Sequence, residues 1–290
     1  MLFLIGSIIL TSYLTLSFKV VERLRINMFQ TIVFNYVACV ATGSFFMGYF
    51  PVNSTTFHQP WFKWALLMGA SFITIFNMLG FTTQKIGVAI ASVANKLSLV
   101  IPFVFSIYLY NEKAAVLKLL GIVLALVAVW LTMKQEKKPG VLIVSKWLLF
   151  LPVLLFIASG LLDTMVKYVE QTFLNEHNNN DYLITAFASA ASIGLTLLLV
   201  LLVTGRQRFD YRAILAGFSI GIPNYFSIWC LLVVLKQYAG NSSAIMPINN
   251  MGIVLFSAVM AWILFKEKLS AINWVGIVLS LVAIALIAFG

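Results

Sequence analysis

Acidic residues are the scarcest charged class in this chain. There are nine among 290 residues, against nineteen Lys and Arg, and charged residues of all kinds make up only 10%. A soluble domain carries nearer a quarter. With 62% hydrophobic residues and a mean hydropathy of +1.01, no soluble fold of this length could cover itself with groups that water tolerates. Cysteine is nearly absent. Cys39 and Cys230 each sit in an apolar run, which excludes a disulfide framework and reads them as small packing residues. The two histidines, His58 and His177, form no cluster. No metal-ligand spacing, phosphate-cradling glycine loop or Ser/His/Asp arrangement is found, so no metal, no cofactor and no enzymatic chemistry are expected. The surplus of +10 lacks a basic stripe with interleaved aromatics, so no nucleic-acid partner is expected either. Cations in the loops of a membrane protein orient it and meet anionic headgroups.

What is present is a series of long apolar runs. About 20 such residues cross the hydrocarbon core as a helix. The runs predict helices near 2–18, 28–50, 61–81, 86–110, 114–133, 147–168, 182–203, 211–235, 241–265 and 270–289. They are too long and uniform for barrel strands. The expected fold class is therefore an all-α polytopic membrane protein of ten transmembrane helices. The N-terminal run lacks a charged leader and a small-residue cleavage site, so it reads as the first membrane helix rather than a signal peptide. Trp61, Trp64, Trp147 and Trp274 lie at span ends, where interfacial anchors are expected.

Loop charge gives an orientation. Odd-numbered loops hold 13 cations and even-numbered loops 5, with Lys96 the nineteenth, inside a span. The positive-inside rule puts the odd loops in the cytoplasm and both termini in the periplasm of a bacterial cytoplasmic (inner) membrane.

The chain also repeats itself. Residues 89–132 lie without a gap over 244–287, pairing Asn95 with Asn250, Glu112 with Glu267, Lys113 with Lys268 and Gly121 with Gly276. Chance similarity of apolar helices would match scattered Leu and Val, not an Asn, a Glu-Lys pair and a Gly in register. Earlier segments agree more weakly, as in Lys19-Val20-Val21-Glu22 with Lys167-Tyr168-Val169-Glu170. The expected organisation is a five-helix repeat over 1–138 and a second over 139–290. Five is odd, so the second repeat enters from the opposite side, the inverted topology of many secondary transporters. A purely structural tandem repeat is the alternative.

One further pattern occurs twice: a polar-dotted helix, a Glu-Lys pair in a tight loop, then a Gly-Ile-Val-Leu helix. It runs from Asn111-Glu112-Lys113 to Leu131 and again from Lys266-Glu267-Lys268 to Leu286. In this the chain resembles the EamA-type members of the drug/metabolite transporter superfamily, over nearly its whole length and most specifically over 87–133 and 240–289. The resemblance implies ten helices, two five-helix repeats and a central solute cavity. Such relatives move amino acids, other metabolites, sugars or drugs. Small multidrug-resistance relatives use a membrane-embedded glutamate in the first helix, whereas residues 1–18 here contain no acid.

Polar residues inside the spans are the candidates for chemistry. Lys96 lies about 15 Å into its helix at a 1.5 Å rise. A charge at such depth costs at least about 2.5–3.5 kcal/mol, so it faces a cavity or a partner. Ser92, Asn95 and Lys96 share one helix face. The repeat places Met251 opposite Lys96, so the fold does not demand a cation there; a lysine stabilising the bundle remains the alternative. Asp163 is the one acid within a span, about 9 Å deeper by the same arithmetic. Its nearer candidate partner is Lys167 at i+4, an outer-gate or interfacial pair, which leaves Lys96 for a solute anion. Asn77, Asn224, Asn249 and Asn250 put amides in apolar helices, where they line a cavity or bond helix to helix. Tyr225 and Trp229 could form an aromatic wall. Pro102, Pro152, Pro223 and Pro247 interrupt spans. The Glu-Lys pairs read as solvated turns, with a gate role as the alternative.

The function expected is an alternating-access carrier for a small polar metabolite, amino-acid-like or otherwise anionic or zwitterionic. The partners are the small-molecule solute and the lipid bilayer, with the protein a monomer or a homodimer. A flippase for a lipid-linked metabolite is the first alternative. A non-transporting sensor or scaffold is the second, disfavoured by the lack of a soluble output domain.

Overall fold

The computed structural model describes residues 2–110, 116–133, 148, 150–175, 178–237, 242–267 and 269–289. The loop pair Glu112-Lys113 with Asn111, and also Trp147, His177 and Lys268, lie outside the described residues. The described chain is helical apart from its connections. In order it forms α1 (Leu2–Arg23), α2 (Met28–Met47), α3 (Phe62–Lys85), α4 (Val88–Leu97), α5 (Val100–Tyr110), α6 (Val116–Met133), α7 (Phe150–Phe173), α8 (Asn179–Val203), α9 (Arg212–Gln237), α10 (Ser242–Phe265) and α11 (Ala271–Phe289), with one turn of 3₁₀ helix at Thr56–His58. Among the described residues, eight segments are long and apolar enough to cross a membrane, α4 and α5 together supplying one of them. Shorter apolar helices occupy Leu119–Thr132 and Ala271–Ile287.

The run 86–110 is thus two helices rather than one. Proline explains the break. Pro102 has no N–H to give to the carbonyl of Ser98 four residues back, and its ring crowds that oxygen. The Ser98 carbonyl accepts from Ile101 N at 2.9 Å instead. The other span prolines act differently. Pro152 lies in the first turn of α7, where its N–H would have no helical partner, while Pro223 and Pro247 lie inside continuous helices.

The helices gather into two compact units, each drawn from both halves of the chain. The first comprises Met1–Lys19, Leu79–Asp163 and Ser227–Gly290, the second Val20–Met78 and Thr164–Phe226. At the heart of the first unit α6 crosses α11. Val93, Leu97, Ala125, Ala128, Val254, Ala258 and Ile284 are buried in the surrounding core. Two glycines allow the close approach. A Cβ on Gly121 would meet Ile287 and the carbonyl of Ala283; one on Gly276 would meet Thr132 and the carbonyl of Ala128. The 155-residue offset turns each contact into the other, so the crossing reads the same from either helix. Asn273 ties the pair further, donating to the carbonyls of Leu131 and Thr132 at 3.3 and 2.8 Å while its oxygen accepts from Ser270 N at 2.9 Å.

The second unit packs α2 against α8 and α9. Gly217 and Gly221 let α9 approach the backbone at Thr31 and Asn35, and Gly194 of α8 meets Val33 and Ile73. These are the small residues that close helix packing requires. Tyr36 stacks with Phe72 and lies tilted against Phe187. Trp61, expected at an interface, is buried edge-on against Tyr182 instead. The start of α2 is closed by the connection before α9, where Asp210 accepts from Asn27 N at 3.2 Å and Gln30 accepts from Asp210 N at 2.9 Å. Cys39 and Cys230 are both buried free thiols, as their apolar surroundings required.

Candidate functional site

The break between α4 and α5 organises the polar residues of the first unit. Ser92 and Asn95 lie on the Lys96 face of α4, and Lys96 falls in its last turn, where a cation complements the helix dipole. Lys96 and Asn95 are half-buried, and Ser92 is buried. Ser98, the first residue past the helix, donates to the Asn95 carbonyl at 2.6 Å and lies 3.2 Å from a carboxylate oxygen of Asp163 on α7. The backbones come this close because of Gly160, one turn before Asp163. A Cβ there would fall 2.8 Å from the Ser98 carbonyl and 2.5 Å from Ile101.

Asp163 is therefore set against the α4 terminus, near enough for its carboxylate and the Lys96 ammonium to attract one another. The sequence reading had paired Asp163 with Lys167 and left Lys96 for the solute. That depth arithmetic treated 86–110 as one straight helix; with the chain broken before Pro102, Lys96 too comes within electrostatic reach of Asp163. Lys167 is half-buried one turn further along α7. The Lys96–Asp163 pair is not sealed. Asp163 keeps an exposed side chain although protein surrounds it at longer range.

Six buried side-chain polar atoms of this unit, on Ser7, Thr83, Ser92, Ser159, Asn249 and Ser257, have no hydrogen-bond partner among the described residues, and two of them are on facing helices. The hydroxyl of Ser92 on α4 and the side-chain oxygen of Asn249 on α10 are buried without a hydrogen-bond partner among the described residues. α4 and α10 pack against one another. An unpaired buried polar atom is costly in an apolar surround, so such atoms suit a site that a solute or water completes. Asn250, the repeat-mate of Asn95, is half-buried on the same helix.

The remaining candidates lie in the second unit and make bonds of the helix-stabilising kind. The amide of Asn77 donates to the Ile73 carbonyl of its own helix at 2.7 Å. Asn224 is buried and donates to Asn35 at 3.2 Å, joining α9 to α2. Tyr225 is buried edge-on against Phe46 and Phe226. Trp229, in the first unit, packs on Phe3.

Sequence reasoning missed two residues. Ser98 could have been found as the small polar residue four before Pro102. Asn35 was visible as another amide in an apolar run. Glu267, read from sequence as part of a solvated turn, reaches back to cap α4, with its carboxylate 2.8 Å from Val88 N.

Residues 145–289 match the model of the EamA-like transporter family. The chain is also 22% identical over 288 residues to an uncharacterized protein of Haemophilus influenzae, covering 97% of this chain and 95% of that one.

Proposed function

The chain belongs to the EamA-like transporter family, and from that premise we propose that it carries a small polar metabolite across the cytoplasmic membrane by alternating access. The observation that carries the reading is the exposed Asp163 and half-buried Lys96 at a broken helix. Broken helices place free backbone groups and charges at the solute sites of many transporters. A zwitterionic, amino-acid-like solute would set its carboxylate on Lys96 and its ammonium on Asp163. Ser92, Asn95, Asn249 and Asn250 would complete its hydrogen bonds. The opposed charges neutralise each other when the solute is absent, which lowers the cost of holding either in the membrane interior.

Two five-helix repeats, 1–138 and 139–290, related by inverted topology and spanning the membrane ten times, give the carrier its two states. The reciprocal Gly121 and Gly276 contacts support this. So does a weaker pair. With the offset of 148 residues between Lys19 and Lys167, Ser12 is equivalent to Gly160, and Ile253 is equivalent to Ser98 at 155. Ser12 hydrogen-bonds the Ile253 carbonyl, and Gly160 faces the Ser98 carbonyl. Loop charge places both termini in the periplasm.

The test substitutes Lys96. Lys96→Met should stay folded in detergent, with a melting temperature somewhat below wild type because Asp163 loses its counter-charge, and should lose uptake of radiolabelled amino acids into proteoliposomes by roughly tenfold or more. Lys96→Arg should recover part of it, because a planar guanidinium meets a carboxylate differently. Full uptake by a well-folded Lys96→Met protein would refute the assignment.

A further inference from the structure

α4 has no cap of its own. Its N-cap residue is Gly87, which offers no side chain. The free N–H groups of its first turn are met from 179 residues away, by the carboxylate of Glu267 in the connection between α10 and α11. One oxygen accepts from Val88 N at 2.8 Å and the other lies 3.4 Å from Ala89 N. A carboxylate there is favourable twice, as an acceptor and as a negative charge on the positive end of the helix dipole. Gly87 makes the approach possible. Its φ is +136°, and a Cβ would fall 3.1 to 3.3 Å from the Glu267 carboxylate group. Beneath this contact Val88 is buried with Leu16 and Ala261.

A local cap would be a Ser, Thr, Asn or Asp side chain at the N-cap position itself. Here the cap is supplied by the opposite half of the chain. It therefore couples the α10–α11 connection to the helix that bears Ser92, Asn95 and Lys96. The contact is half-buried and rests on one side chain, so it can be exchanged for water.

We infer that Glu267 is a releasable latch, a positioning residue that holds α4 in the arrangement seen and lets go during the transport cycle. This rests on the carrier reading above. Glu112 holds the matching place in the first half but lies outside the described residues, and the inference concerns Glu267 alone.

Hydrogen exchange of the full-length protein in lipid nanodiscs tests it, read by mass on the peptide 86–92. Glu267→Gln keeps the side-chain shape and removes the charge. Exchange over 86–92 should rise by roughly tenfold, while α6, α11 and the melting temperature stay at wild type. Glu267→Asp should fall between the two. No change over 86–92 would overturn the latch. So would a loss of protection spread over the whole first unit with a falling melting temperature, the behaviour of an ordinary structural cap. The measurement needs no solute. A wild-type protein that fails to take up tracer would therefore count against the carrier reading while leaving the exchange result to stand.

Discussion

Replacing Gly276 by alanine should destabilise the protein more than the same change at its repeat-mate Gly121, and the coordinates say why. At Gly276 the new methyl lands 2.7 Å from Thr132 Cγ2, 2.8 Å from Thr132 N and 3.1 Å from the Ala128 oxygen. Two of those atoms are backbone of α6 and cannot rotate away, so the crossing must widen. At Gly121 the nearest atom, Ile287 Cγ1 at 2.8 Å, belongs to a side chain that can turn; the backbone atoms stand off at 3.0 and 3.1 Å. Overpacking a tight interior costs about 1–3 kcal/mol. Against this, alanine gains about 0.8–1 kcal/mol over glycine in a helix. The balance is a net loss of about 2 kcal/mol at Gly276 and about 1 kcal/mol or less at Gly121. Reversible unfolding in mixed micelles, or steric trapping in bilayers, reads such differences, since 1.4 kcal/mol is a tenfold change in the equilibrium. The double variant should cost less than the two single costs together, because one widening relieves both sites. The reasoning fails if Gly121→Ala costs as much as Gly276→Ala, or if both stabilise as helix propensity alone would have them.

A reporter active only in the periplasm, fused after Gly290, should be active if loop charge sets the orientation; strong activity from a cytoplasm-only reporter there would reverse the assignment. At Asp210 the hydrogen bond from Arg212, aided by the Asn27 N–H, holds the carboxyl below the usual carboxylate range. A depressed folded value adds stability that is present above the unfolded pKa of about 3.9 and fades as pH falls through the folded value. Asp210→Asn should therefore melt below wild type at pH 7, and the gap should close progressively below about pH 4. A gap that stays constant over that range would show that the carboxylate charge does not matter there.

The sequence alone determined the solvent and the class of structure. Lipid followed from apolar runs that no soluble surface could hide, and helices followed because a backbone in hydrocarbon must satisfy its own hydrogen bonds. It also marked the depth of Lys96 and Asp163, since a charge inside a span is conspicuous for its cost. Gly121 and Gly276 were legible as a matched pair, although nothing in their own helices said that each faces the other.

Tertiary structure decided the partnerships. Helix periodicity tells which residues share a face of one helix; it carries no information about which other helix that face meets. Lys96 and Asp163 appeared to lie too far apart in depth until the proline break and the bare surface of Gly160 brought α7 onto the end of α4. Asn224 resembled Asn249 in sequence, yet one amide is bonded to Asn35 and the other leaves a buried oxygen unpaired. The Glu267 carboxylate, read from sequence as part of a solvated turn, caps a helix 179 residues earlier in the chain. Each of these outcomes depends on the close approach of segments distant in sequence, and only the packed fold fixes those distances.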